Sequence, residues 1–280
     1  MKVVITGGSG FIGRGIAERL RASGHTVTAV SLRTPPSPEA FAGCGAVVHL
    51  AGEPVAQRWT AAAKQRIMNS RVQGTRTLVA ALRKQPPAVL ISASAIGYYG
   101  SRGDEILTED SPPASDFLGQ VAVAWEQEAR ASEELGVRVV TPRIGVVLGR
   151  GGGALPKMAL PFRFGVGGRL GDGKQWTSWI HLDDLVALVE FSIATTAVRG
   201  AVNAVAPNPV TNATFTRALA AALHRPAIFP VPAAALKLLL GEMSQVVLTS
   251  QRVIPEAALR AGFQFRFTEA GEALRQIFAA

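Results

Sequence analysis

The chemistry most legible in this chain lies in residues 3–13, Val-Val-Ile-Thr-Gly-Gly-Ser-Gly-Phe-Ile-Gly, where Gly7, Gly10 and Gly13 are spaced through a short turn. A turn with that spacing aims backbone amides and a helix N-terminus at one point, where the charge of a pyrophosphate is stabilised. One glycine makes the turn, one lets the backbone approach the phosphates, and one lets the helix pack against the strand. An apolar run precedes the turn. Ile12, Ile16 and Leu20 then share one helical face, and Gly24 marks the stop. The turn lacks a Gly-Lys-Ser/Thr ending, so the pattern points to a dinucleotide rather than to a phosphate-binding loop of the nucleotide-hydrolase kind.

About 20 residues after such glycines, a carboxylate usually holds the adenosine ribose hydroxyls. Here the position reads Val30-Ser31-Leu32-Arg33 and carries no acid. Arg33 offers a planar guanidinium and Ser31 a hydroxyl, a pair that suits a 2′-phosphate. NADP is therefore expected over NAD. Arg14, beside the turn, is a second candidate for phosphate contact.

Ser94, Tyr98 and Tyr99 follow one another closely in a glycine-bounded loop. They are the candidates for proton transfer, with Arg102 placed to lower the pKa of a tyrosine. Glu53 follows the third strand and can bond a ribose or a neighbouring amide. Arg143, Lys157, Arg163, Arg169 and Lys174 can make a cleft positive for an anionic substrate. Trp176 and Trp179 either stack on a flat substrate or fill a core. His181, Asp183 and Asp184 read as structural, with Asp183 capping the next helix and His181 packed under it. The four histidines show no metal-ligand spacing, and no metal is expected.

These residues need a scaffold that alternates strand and helix. Strands are expected at Lys2–Thr6, 26–32, 46–51, 89–93, 138–141 and 201–205. Helices are expected at 11–23, 60–84, 117–135, 182–195 and Asn212–Leu223. That alternation implies a parallel, doubly wound sheet with ligands at the carboxyl ends of its strands. Residues 34–45 leave room for only one short helix after Ser37. Five glycines fall within 165–173, so that stretch loops rather than forming regular helix. The expected division is a dinucleotide-binding domain over 1–205, with 143–181 looping into a substrate lobe, and a small, mostly helical lobe over 206–280.

The chain has 280 residues, 48% of them hydrophobic, enough for one large domain with a smaller lobe. Its formal charge is +9, from 29 basic and 20 acidic residues. The basic residues are scattered and only two tyrosines accompany them, which argues against nucleic acid and for a small anionic substrate. No apolar run reaches the roughly 18 residues of a membrane span. A first strand at the second residue leaves no space for a leader, and a single cysteine, Cys44, fits a reducing cytoplasmic compartment.

The turn motif Thr6-Gly7-Gly8-Ser9-Gly10-Phe11-Ile12-Gly13, His49-Leu50-Ala51-Gly52 and Trp179-Ile180-His181-Leu182-Asp183-Asp184 resemble the extended short-chain dehydrogenases/reductases, in their NAD-dependent epimerase/dehydratase branch. Gly52-Glu53-Pro54, Ser70-Arg71, Ser94-Ala95-Ile96-Gly97-Tyr98-Tyr99-Gly100 and Gly262-Phe263-Gln264-Phe265 are similar to an atypical subgroup. That subgroup carries a C-terminal domain of unknown function. The resemblance implies an α/β, Rossmann-like doubly wound sheet with a small C-terminal substrate lobe. It adds Phe11, Ile12, Leu50, Ala51, Gly52, Glu53 and Arg71 to Gly7, Gly10, Gly13, Ser31 and Arg33 as cofactor-binding residues, with Arg71 able to reach either a phosphate or a substrate carboxylate.

Ordinary members of that group use a Tyr-x-x-x-Lys pair, whose tyrosinate is the general acid/base for a substrate hydroxyl. In one register of residues 117–122 the pair reads Phe117 and Val121. In the other it reads Leu118 and Ala122, so both registers lack the functional groups. The leading expectation is an NADP(H)-binding oxidoreductase-like protein without that pair. The competing one is a non-catalytic NADPH sensor or scaffold. A homo-oligomer or a protein partner through the C-terminal lobe fits either.

Overall fold

The computed structural model of the chain describes residues 1–279. Its centre is a parallel sheet. β1 (Lys2–Thr6) leads through α1 (Phe11–Ala22) to β2 (Thr26–Val30), and a single 3-10 turn at Pro38–Phe41 crosses back to β3 (Ala46–His49). α2 (Ala61–Leu82), β4 (Val89–Ser92) and α3 (Phe117–Arg130) follow, and then the strands Arg138–Ile144 and Gly200–Ala204. Across the sheet the order is β2, β1, β3, β4, Arg138–Ile144, Gly200–Ala204, with the short strand Ser94–Ala95 beside Arg143 and Ile144. The order reverses between β1 and β3, where such sheets open a ligand crevice at their carboxyl ends.

Both faces of the sheet are covered, so the strands are apolar on both sides. Val3, Ile5, Val48 and Ile91 pack under α1 and the helix Leu182–Ala194. Val4, Val47 and Leu90 pack with Phe41, Leu78 and Leu82 on the other face. Successive residues of one strand therefore serve opposite cores, as a period of two requires. The strand Arg138–Ile144 runs three residues beyond its expected end, which lets it pair with Ser94–Ala95. β2 and β3 each stop two residues short, at Val30 and His49.

A second apolar cluster joins Leu155, Phe162, Trp179, Phe215, Leu219 and Ile277, so it draws on residues from both sides of position 206. The tail is not confined to that lobe. Arg252–Val253 pairs with Ile106–Leu107, and Ala258 and Phe263 enter the main core beside Val202 and Ile193. No helix among the described residues is long and apolar enough to cross a membrane.

Candidate functional site

The glycine turn has the geometry its spacing implies. Gly7 sits at φ +74°, and a Cβ there would lie 2.8 Å from Ala51 N and from the Leu50 carbonyl carbon. A Cβ on Gly13 would lie 2.4 Å from Gly7 O, so the helix can seat on the turn only without one. No side chain caps α1 at Gly10, and its first turn carries no acid, so its leading amides remain for an anion. These residues fit a pyrophosphate. Phe11 opens the helix directly after Gly10. Its ring packs under the loop 149–153, where Cβ atoms on Gly149 and Gly152 would come within 2.8 and 2.4 Å of it. Ile12 packs against the main core.

At the end of β2, Ser31 and Arg33 are both exposed, and Ser31 Oγ accepts from Arg33 N at 3.2 Å. The Arg33 guanidinium has no hydrogen-bond partner among the described residues. Arg14 is turned back on the turn itself, with Nη1 donating to Ser9 O at 2.9 Å.

Beneath the turn lies a link between residues that no motif joins. His49, fully buried at the end of β3, bonds Thr6 Oγ1 through Nδ1 at 2.6 Å and Thr75 Oγ1 through Nε2 at 3.0 Å. Thr75 spends its own proton on Arg71 O at 2.6 Å, so it accepts from His49. The ring is thus the Nε2–H tautomer, and Nδ1 receives the Thr6 proton. Burial, reinforced by the charge of Arg71, pulls the His49 pKa down to about 4.

Leu50 and Ala51 present backbone to Gly7, while Gly52 lies against the Arg71 guanidinium, where a Cβ would be 3.3 Å from Cζ. Arg71 donates through Nη1 to Glu53 O at 3.0 Å and Ile67 O at 3.2 Å, and its guanidinium lies 5.0 Å from the Trp125 ring centroid. Burial lowers its pKa to about 10 against the pull of Glu53, so it stays a cation at neutral pH. The Glu53 carboxylate itself turns to Gln57, at 3.0 Å.

Arg71 opens onto a cavity of about 240 Å³ at the carboxyl ends of β4 and the strand Arg138–Ile144. Leu118, Val121 and Ala122 form its α3 wall, while Phe117 stacks edge-on against Trp59 instead. Leu118 and Ala122 of one register thus both line the cavity, whereas of the other register only Val121 does. Gly97 brings the turn Ile96–Tyr99 onto Leu118, since a Cβ there would come 3.1 Å from that of Leu118.

Ser94, Tyr98 and Tyr99 do come together, but below the cavity rather than in its lining. Ser94 Oγ donates to Glu126 Oε1 at 2.7 Å. Arg143 grips the same carboxylate through Nε and Nη2, at 2.8 and 3.0 Å, and also donates through Nη1 to Tyr99 OH at 2.9 Å. Tyr99 passes its proton on to Asn203 Oδ1 at 2.6 Å. Arg143 also stacks 3.4 Å from the Tyr98 ring centroid.

Several expectations are corrected here. Arg102 does not activate a tyrosine: it donates to the backbone oxygens of Tyr99 and Pro112. Burial pushes the Tyr99 phenol up to about 12, and Arg143 only partly opposes it. Arg143 does not line a positive cleft. Burial pulls its pKa down, but its hydrogen bonds and charge interactions with Glu126 and Tyr99 together outweigh that and hold it charged. Lys157, Arg163, Arg169 and Lys174 are exposed and none lines the cavity. Trp179 is core, whereas Trp176 donates to Asp104 and lies under Arg252. His181, not Asp183, caps the helix Leu182–Ala194, accepting from Asp183 N at 3.0 Å. Asp184 is the buried acid, and it holds the amides of Arg266 and Phe267 at 2.9 Å each.

The NAD dependent epimerase/dehydratase family model matches residues 3–204, and a domain of unknown function, DUF1731, matches residues 231–277. The chain belongs to the NAD dependent epimerase/dehydratase family. Among relatives of this epimerase/dehydratase type, "Epimerase family protein Mb2239" of Mycobacterium bovis is 41% identical, covering 97% of this chain and 96% of the relative. The crystal structure of human epimerase family protein SDR39U1 with NADPH has a TM-score of 0.91 at 37% identity, over 99% of each chain. The UDP-glucose 4-epimerase of Thermus thermophilus, in complex with NAD, shares the fold with a TM-score of 0.81 at 18% identity, over 99% of this chain and 98% of that one.

Glu126 is a buried charged residue that motif reading missed, and Arg143 one that it misplaced. One signal existed. Leu118, Ala122 and Glu126 fall four apart on one helix, which puts an acid on the face expected to meet the sheet.

Proposed function

We propose that this chain is an NADP(H)-dependent oxidoreductase whose substrate step runs without a tyrosinate. The Gly7–Gly10–Gly13 turn takes the pyrophosphate, and Arg33 with Ser31 takes the 2′-phosphate. The observation that carries the cofactor choice is the end of β2, where an exposed Arg33 stands with no carboxylate beside it. The NADPH bound to the human relative supports the same choice. Bound NADPH supplies a hydride donor. The chain's own contribution is to exclude water with Leu118, Val121 and Ala122 and to place the Arg71 charge at the cavity wall. A small anionic substrate fits that charge.

A second reading, a non-catalytic NADPH sensor, is favoured by one observation: the Ser94 hydroxyl is already donated to Glu126. Two measurements decide. Calorimetric titration with NADPH and NADH is expected to show a preference of about tenfold or more for NADPH, abolished in Arg33→Ala. Equal affinities in the unaltered protein overturn the cofactor choice. A metabolite screen for NADPH oxidation, repeated on Tyr98→Phe/Tyr99→Phe, separates enzyme from sensor. Turnover that survives the double substitution supports a tyrosine-free step, and no turnover with any metabolite supports the sensor.

A further inference from the structure

The cavity beside Arg71 has an unusual inventory of polar groups. Five polar side chains line it, and three of them are already engaged. Asp116 Oδ1 accepts from Gly119 N at 2.8 Å and caps α3. Gln251 Nε2 donates to Ile96 O at 2.7 Å, and the Thr249 hydroxyl donates to Gln245 O. Trp125 and Arg71 are the exceptions: the buried Trp125 Nε1 has no hydrogen-bond partner among the described residues, and Arg71 carries the charge. It spends only Nη1 on the protein, and its Nε and Nη2 have no partner among the described residues. The walls are otherwise Leu118, Val121, Ala122, Ile144 and glycine or aliphatic neighbours.

We infer that this cavity takes a small, mostly apolar molecule bearing one negative charge, a monocarboxylate being the simplest, with Arg71 as its anchor. The inference rests on the cofactor reading above and names the substrate class for the same site. A nucleotide sugar is the wrong chemistry. A sugar would bury several hydroxyls against walls that are mostly carbon, and the few partners left, on Arg71, Trp125 and the second Asp116 oxygen, cannot pair them all. Mostly apolar walls with a partner-free cation at Arg71, the Asp116 carboxylate being tied to the α3 cap, suit a ligand that is apolar over most of its surface. The guanidinium is held ready by Glu53 O and Ile67 O and by the Trp125 face, so its free edge is oriented before the ligand arrives.

The test is calorimetric titration of the NADP⁺-loaded protein with 2-naphthoate, 4-phenylbutyrate, 2-naphthamide and UDP-glucose. At least one carboxylate is expected to saturate the protein, with 2-naphthamide about tenfold or more weaker than 2-naphthoate. Arg71→Met is expected to weaken the carboxylates by about tenfold or more, and clearly more than it weakens NADP⁺. Arg71→Lys, which keeps the charge, is expected to fall between. The comparison of carboxylate with amide needs no variant, so it stands even if Arg71→Met does not fold. Tighter binding of UDP-glucose than of either carboxylate overturns the inference. So does the absence of saturation by both carboxylates, or a loss of NADP⁺ affinity in Arg71→Met as large as the loss of carboxylate affinity. Failure of NADP⁺ to bind the unaltered protein overturns the cofactor reading instead, so the two failures are separable.

Discussion

Arg143 and Glu126 form a two-pronged ion pair, Nε to Oε1 at 2.8 Å and Nη2 to Oε2 at 3.0 Å, with each side chain 2% exposed. The pair lies under the wall formed by Leu118 and Ala122. The Ser94 hydroxyl joins it, donating to Glu126 Oε1 at 2.7 Å. The buried charges here hold the strand Arg138–Ile144, α3 and the turn Ile96–Tyr99 together.

Removing one partner leaves the other charged and dry. Glu126→Ala is expected to cost about 3–5 kcal/mol of unfolding free energy, and Arg143→Met a similar amount. Joint replacement, Glu126→Leu with Arg143→Met, is expected to cost clearly less than the sum. Urea unfolding of the three variants checks this. Additive losses would show that the two side chains act independently.

His49 makes stability depend on pH. Its pKa is near 4 in the folded protein, below the 6.5 of an ordinary imidazole, so the unfolded chain takes up a proton first as pH falls. Its contribution is complete above about pH 6.5 and is lost as pH falls through about 4. Between pH 7 and pH 4.5 the folded state is expected to lose about 2–3 kcal/mol from this group alone. In His49→Gln that part of the slope should disappear from denaturation curves taken across the range. An unchanged slope would assign the pH dependence to other groups.

Two glycines separate cofactor geometry from helix propensity. A Cβ at Gly13 meets Gly7 O at 2.4 Å, so Gly13→Ala must move the turn or α1. Loss of NADPH binding by at least about tenfold is expected, because misplacing the phosphate site forfeits its charge-assisted hydrogen bonds. Gly74, inside α2, has open space where its Cβ would stand. Gly74→Ala is expected to raise stability by about 0.5–1 kcal/mol and leave cofactor affinity unchanged. Thermal unfolding and NADPH titration of both variants distinguish the roles.

What the sequence made legible was local or periodic. The β1–turn–α1 unit, the end of β2 and the helix Asn212–Leu223 follow from spacing, capping and apolar alternation within a few residues. The lost acid/base pair was legible too, as a pair of residue types in either register. That Leu118 rather than Phe117 lines the cavity goes with the Trp59 contact, which comes from a loop nearly 60 residues earlier in the chain. The pairing of Arg143 with Glu126, and of Asp184 with the amides at 266 and 267, likewise joins residues whose separation carries no pattern. Tyr98 and Tyr99 misled because neighbours in sequence suggested Arg102 as their cation. The fold supplied Arg143 instead, from a strand that ends beside them.

The path of the tail bears on how this protein is cut into pieces. The two family models meet in the gap between residues 204 and 231, which invites a division there. Yet Val253 is fully buried and strand-paired to the segment Ile106–Leu107, and Ala258 and Phe263 fill the core of the first part. A fragment ending at residue 230 would open a hole in the main sheet's own packing. The evolutionary joint and the folding joint are therefore different places, and the C-terminal segment belongs to the foundation of the cofactor domain as much as to the lobe beside it.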